Sequence, residues 1–243
     1  MLLINQYLTL TMITTSQTKF NWFDELDKDW VDIFTQLNIS DYSNNLNTFI
    51  EQVYLQNKEV YPVQDRLFDS FNRCYRGLDF VKVVIIDDNP VKDLRSSGIG
   101  RGLIEPSFTV SDLPIELRQF RDCICETIFG NQCSLTNFDN SLYDYSLDED
   151  ILFLNSSLCV EKDRDYSKVW RPFIIHILQE LNKRKENIAY VFLTGNNSDL
   201  YKYIDQTKNK IIVNPTSVLM SYSTIFNEID NYLSDNKIKS INW

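Results

Sequence analysis

Three apolar runs in this chain end in polar residues of types that can do chemistry. Val83-Val84-Ile85-Ile86 runs into Asp87-Asp88-Asn89-Pro90, Leu152-Phe153-Leu154 into Asn155, and Lys210 to Val213 into Asn214-Pro215-Thr216-Ser217. A carboxylate there can orient a water molecule or offset a developing cation. A carboxamide carries no charge, but it donates and accepts hydrogen bonds at one point in space. Asp88 and Asn89 are sequence neighbours at a strand end, so their side chains are expected to leave in different directions. The only histidine, His176, falls within an apolar run of helical character and reads as a packing residue. Cys123-x-Cys125 has neither zinc nor redox spacing, and the five scattered cysteines read as free thiols of a reducing compartment.

Elements must hold these groups together. Val81 to Ile86 is β-branched and continuous, as in a strand buried on both faces of a parallel sheet. Ile151 to Leu154, Ala189 to Leu193 and Lys210 to Val213 supply three more strands. Helical spacing appears at Trp30 to Leu37, Ser43 to Leu55, Gln64 to Cys74, Leu113 to Phe129, Trp170 to Leu181 and Ile225 to Leu233. In the fourth of these, Ile115, Leu117, Phe120, Ile124 and Ile128 form the expected buried face. Arg95 to Ser111 carries glycines and reads as a loop. Strands separated by helices imply a three-layer α/β/α sandwich with a central four-stranded parallel sheet. In such sheets ligands sit beyond the carboxyl ends of the strands, where the three opening motifs lie.

Composition narrows the classes. A chain of 243 residues, 43% hydrophobic, is long enough for one domain with a substantial core. The expected organisation is an N-terminal extension, 1–29, followed by a single domain, 30–243. No apolar run is long enough to span a bilayer. No Lys or Arg precedes Lys19, so the start lacks the positive region of a signal peptide, and an intracellular, non-secreted protein is expected. With 34 acidic against 24 basic residues the net charge is −10, which argues against strong non-specific affinity for nucleic acid.

At these residues the chain resembles family 1 uracil-DNA glycosylases from about Trp30 to Trp243. Tyr61-Pro62-Val63-Gln64 is similar to the family's Y-P-P-Q, and Val81 to Ile86 to the strand that leads into its G-Q-D-P-Y-H loop. Leu152-Phe153-Leu154-Asn155 is similar to L-L-L-N, and Val191-Phe192-Leu193-Thr194-Gly195 to F-L-L-W-G. Asn214-Pro215-Thr216-Ser217 is similar to H-P-S-P, and Ile241-Asn242-Trp243 to the closing I-D-W. The resemblance implies a fold in which a flipped uracil is cut from its sugar without cofactor or metal. It places Asn155 as the base-reading amide. Phe108, or Glu105 in another register, falls at the stacking position. Pro215, Thr216, Ser217, Val218 and Leu219 fall in the DNA-contacting loop, with Val218 as the inserted wedge.

The sequence also departs from that pattern. Asn89 stands where the family has its catalytic Asp, and Asn214 where it has the His that binds the leaving oxyanion. Val91 replaces the Tyr that excludes thymine, and Lys92 the His that follows. Groups of this kind contribute about 10²–10⁴-fold each. The expectation is therefore a chain whose catalysis is lost or very weak, with Asp88 as the one nearby carboxylate. It would serve as a DNA- or protein-binding component of a replication or repair complex, as a poxviral relative serves as a polymerase processivity component. Duplex DNA is the other expected partner, and a membrane is not. The alternative is an active glycosylase, slow on uracil or shifted to another base.

Overall fold

The computed structural model describes residues 26, 30, 31, 33, 40–56, 59–74, 76–104, 110–130, 143, 144, 148–214 and 224–243. Its centre is a parallel sheet of four strands, β2 (Val83–Asp87), β5 (Ile151–Asn155), β8 (Ala189–Phe192) and β9 (Lys210–Val213), in the order β5-β2-β8-β9. The two inner strands and the edge strand β5 are apolar on both faces because both faces are covered: Val83 to Ile86, Ala189 to Phe192 and Ile151 to Leu154 are all buried. On the edge strand β9 only Ile212 is fully buried.

One face of the sheet presents Val84, Ile86, Leu152, Leu154, Tyr190 and Phe192. Against it pack helices α1 (Ser40–Gln56), α2 (Asp69–Asn72) and α4 (Ser167–Arg184). Trp170 and Phe71 each meet Phe173 edge-to-face, at 5.6 Å between ring centroids in both pairs. Such pairs contribute about 0.5–1.5 kcal/mol each beyond their buried area. The opposite face, with Val83, Ile85, Ile151, Phe153 and Val191, is covered by α3 (Ile115–Ile124), α5 (Ile225–Asp235) and the C-terminal Ile241 and Trp243. Asp230 accepts hydrogen bonds from Ile241 N and Trp243 Nε1, which fastens the chain end to α5. The three layers are those the alternating pattern predicts.

Several elements differ from expectation. Gln64 to Cys74 is not one helix but a 3₁₀ turn, Gln64–Arg66, followed by α2. The Arg66 carbonyl, which a continuous helix would offer to Ser70, accepts instead from Gly98 N at 3.0 Å. The expected helix Leu113 to Phe129 starts at Ile115 after Pro114 and ends in a π turn, Cys125–Phe129. Ile115 is 58% exposed, so it does not belong to the buried face formed by Leu117, Phe120 and Ile124. Short strands β1 (Val60–Tyr61), β6 (Val160–Glu161) and β7 (Arg164–Asp165) form a small antiparallel sheet, and β3 (Leu103–Ile104) pairs with β4 (Tyr143–Asp144). Cys74, Cys123 and Cys159 are buried and not disulfide-bonded, but Cys125 is disulfide-bonded, against the expectation of five thiols. Among the described residues no helix is long and apolar enough to cross a membrane.

Candidate active site

Strand register decides which side chains meet. Asp87 pairs with Asn155 across β2 and β5, Ile86 with Phe192, and Phe192 with Val213. The four strands therefore end nearly level, with Asn155, Asp87 to Asn89, Thr194 and Asn214 along one edge. Ser156 N donates to Asp87 O at 2.8 Å and Ser157 N to Asp88 O at 3.1 Å. Asn214 N donates to Phe192 O at 2.8 Å. These bonds extend the ladder past the strands and hold the polar residues in place.

Asn155 is 4% exposed. Its Nδ2 donates to Gly98 O at 3.0 Å, and its Oδ1 takes no donor among the described residues. Two glycines bring the covering loop this close. A Cβ on Gly98 would lie 2.7 Å from both Arg66 O and Leu67 O, so only hydrogen fits there. Gly100 has a φ of 59°, and a Cβ on it would meet Asn155 Nδ2 and Oδ1 at 3.8 Å. Ser70 Oγ also donates to Gly98 O, at 2.7 Å. The loop is thus tied to α2 on one side and to Asn155 on the other.

The next residue, Arg101, completes this side. Its Nε donates to Asp87 Oδ2 at 2.6 Å, and each of the two side chains is 13% exposed. Burial pushes the Asp87 carboxyl above the usual carboxylate range, while the Arg101 charge and hydrogen bond pull it back. Register partners on parallel strands point to the same face, so Asp87 and Asn155 leave the sheet side by side.

Asp88 turns the other way. Its Oδ1 accepts from Thr194 Oγ1 and Asn197 Nδ2, both at 2.7 Å, and its Oδ2 accepts from Asn196 Nδ2 at 2.8 Å. The carboxylate is therefore held by the loop after β8 rather than standing in place of the Asn89 side chain. Asn89 Oδ1 is buried and has no hydrogen-bond partner among the described residues. Such an orphaned acceptor costs about 1–3 kcal/mol unless a donor reaches it. Val91, buried with Leu113 and Leu117, packs away as an apolar anchor of this loop.

Asn214 is 3% exposed, and its Nδ2 donates to Leu193 O at 3.1 Å, within the frame of the strand ends. Phe108, Glu105, Pro215, Thr216, Ser217, Val218 and Leu219 lie outside the described residues. His176 stands on α4 with Nε2 3.4 Å from Ile33 O, and burial holds its pKa below the ordinary value. It is not among the strand-end residues. Among the described residues no cluster of His, Cys, Asp and Glu side chains is arranged to hold a metal ion. Sequence reasoning missed the Arg101–Asp87 pair and the Thr194, Asn196 and Asn197 cradle. The signals were present in a lone arginine between Gly100 and Gly102 and an extra acid before Asp88.

No family model matches the chain. A uracil-DNA glycosylase of Haemophilus influenzae strain PittEE is 23% identical over 228 residues, covering 89% of this chain and 99% of that protein. One of Streptococcus agalactiae serotype III is 26% identical over 227 residues, covering 88% and 97%. The crystal structure of mimivirus uracil-DNA glycosylase superposes with a TM-score of 0.67 at 16% identity, over 93% of this chain and 90% of that one. The mimivirus Y322L variant has been crystallised in complex with UGI. These matches overturn the expectation, drawn from Asn89 and Asn214, of a chain reduced to a binding component. Its relatives along nearly their whole length are named as glycosylases, and nothing in them indicates lost catalysis.

Proposed function

We propose that this chain, which belongs to the uracil-DNA glycosylase superfamily, hydrolyses the N-glycosidic bond between uracil and deoxyribose in DNA. The observation that supports this most is the orphaned Asn89 Oδ1, buried at the end of β2 among the strand-end groups. A water molecule donating to that oxygen satisfies it and is fixed at the point of attack. Asn155 reads the base. Its open Oδ1 accepts from the ring N–H of uracil, a hydrogen that cytosine lacks at that position. Pro215, Thr216, Ser217, Val218 and Leu219 are the proposed DNA contacts, on a single domain spanning 30–243 with 1–29 as an extension.

Charge sets the rate. At an effective dielectric of ~20, a carboxylate about 7 Å from the sugar carbon stabilises a unit cation by about 2 kcal/mol, against about 4 kcal/mol at ~4 Å. Asp88, turned towards Thr194, acts at the longer range. The site is thus a slower glycosylase rather than a silent one. With Val91 packed against Leu113 and Leu117, no aromatic side chain at that position guards the C5 edge of the base.

The test is to incubate the protein with duplex and single-stranded oligonucleotides carrying one uracil, and to score abasic sites by alkaline cleavage. Cleavage at the uracil position, absent from a cytosine control, is expected; cleavage no greater than in buffer overturns the reading. Titrating salt in the same assay shows whether phosphate contacts contribute to binding, as a steep fall of affinity with salt.

A further inference from the structure

We infer that Arg101 holds the carbonyl oxygen of the bound base and carries the negative charge that the base acquires as it leaves. The inference rests on the glycosylase reading above and names the group that stabilises the leaving base in that reaction. Arg101 spends Nε on Asp87 at 2.6 Å, and its Nη1 and Nη2 hydrogens meet no acceptor among the described residues. A guanidinium has five N–H donors in a rigid plane, so bonding through Nε fixes that plane and leaves the far edge to something else. The side chain is only 13% exposed, so those donors face little open water.

Position says what they face. Asp87 and Asn155 are register partners, and the turn Gly100–Gly102 packs against β5. Gly100 sits over the Asn155 amide, with a Cβ position 3.8 Å from both amide atoms. The next residue therefore brings a cation beside the amide that reads the base. A base bonded to Asn155 presents a second carbonyl oxygen to that neighbourhood.

The chemistry requires such a group. The glycosidic C–N bond breaks with its electron pair moving onto the base, whose carbonyl oxygens take up much of the charge. The water oxygen bonds to the sugar carbon and keeps one hydrogen. Its other proton passes through solvent to the departed base, which leaves neutral. Asn214, the residue at the end of β9, donates one Nδ2 hydrogen to Leu193 O and carries no charge. Arg101 is the cation next to Asn155, and its pair with Asp87 keeps the empty site neutral. Its open donors then meet charge that appears only as the bond breaks, where preorganised donors accelerate most.

The test compares uracil with 5-fluorouracil in the same duplex under single-turnover conditions. The fluorinated base is the more stable anion and needs less help to leave. Arg101→Gln is expected to slow uracil excision about 10²–10³-fold and 5-fluorouracil excision distinctly less, with Arg101→Lys in between on uracil. Because Arg101→Gln strands the Asp87 carboxyl, the Asp87→Asn/Arg101→Gln double variant is measured beside it and should show the same dependence on the leaving base. Equal loss on the two bases, or no loss, overturns the role given to Arg101 while leaving the glycosylase reading intact. An unmodified protein inert on both bases overturns that reading and the role of Arg101 with it.

Discussion

Replacing Asn89 by aspartate puts a negative charge where the structure has a buried, unpartnered amide oxygen. At about 4 Å from the sugar carbon and an effective dielectric of ~20, that charge stabilises the cationic transition state by about 4 kcal/mol. Asp88 opposes it. Two carboxylates about 6 Å apart repel by about 3 kcal/mol at the same dielectric. That repulsion is present before and during the reaction, so it raises the pH at which the new carboxyl ionises rather than the barrier; once the carboxyl is ionised the gain is about 4 kcal/mol, or about 10³-fold in rate. Burial and the Asp88 charge both favour the neutral form of the new carboxyl, so it ionises at higher pH than a free one. The ratio of Asn89→Asp to unmodified protein should therefore rise with pH. The assay is single-turnover uracil excision from a duplex between about pH 5 and about pH 8, a window that spans ordinary and raised carboxyl values. A ratio at or below unity throughout, or one that falls as pH rises, would refute the placement of water and sugar beside Asn89.

Gly98→Ala forces a Cβ to 2.7 Å from the Arg66 and Leu67 carbonyl oxygens, both backbone atoms. It should lower stability by about 1–3 kcal/mol and also slow excision, because Asn155 loses its anchor; an unchanged melting temperature contradicts the packing described. His176 gives a pH prediction. Its folded pKa lies below the ordinary 6.5 because of burial. As pH falls through that value the unfolded chain takes up the proton first, so stability is lost towards acid. Comparing urea unfolding at about pH 7 and about pH 5, His176→Gln should lose less stability than the unmodified protein; equal losses count against a half-buried, neutral His176.

The sheet was legible because its signals are local. Val83 to Ile86 and Ile151 to Leu154 are apolar runs that stop at polar residues, and burial on both faces is the direct cause of that pattern. The break at Leu67 was not legible, because it comes from a loop some 30 residues away whose Gly98 takes the Arg66 carbonyl. Ile115 misled because apolar periodicity cannot say where a helix begins, and the start after Pro114 left it outside. At the site, the strand ends placed Asn155, Asn89 and Asn214 on one edge, as sheet logic requires. The inference of lost catalysis went wrong by weighing single positions. Asp87 and Arg101 are charged partners 14 residues apart, a spacing with no signature.

The most direct measurement of the central claim is uracil release by protein in excess over a uracil duplex, run in parallel with Asn155→Ala purified in the same way. The pairing separates this chain from any glycosylase carried over from the expression host. Slow release by the unmodified protein, above a buffer control and strongly reduced in Asn155→Ala, is the expected result. Release that is the same in both preparations, or missing from both, contradicts a glycosylase whose base is read by Asn155.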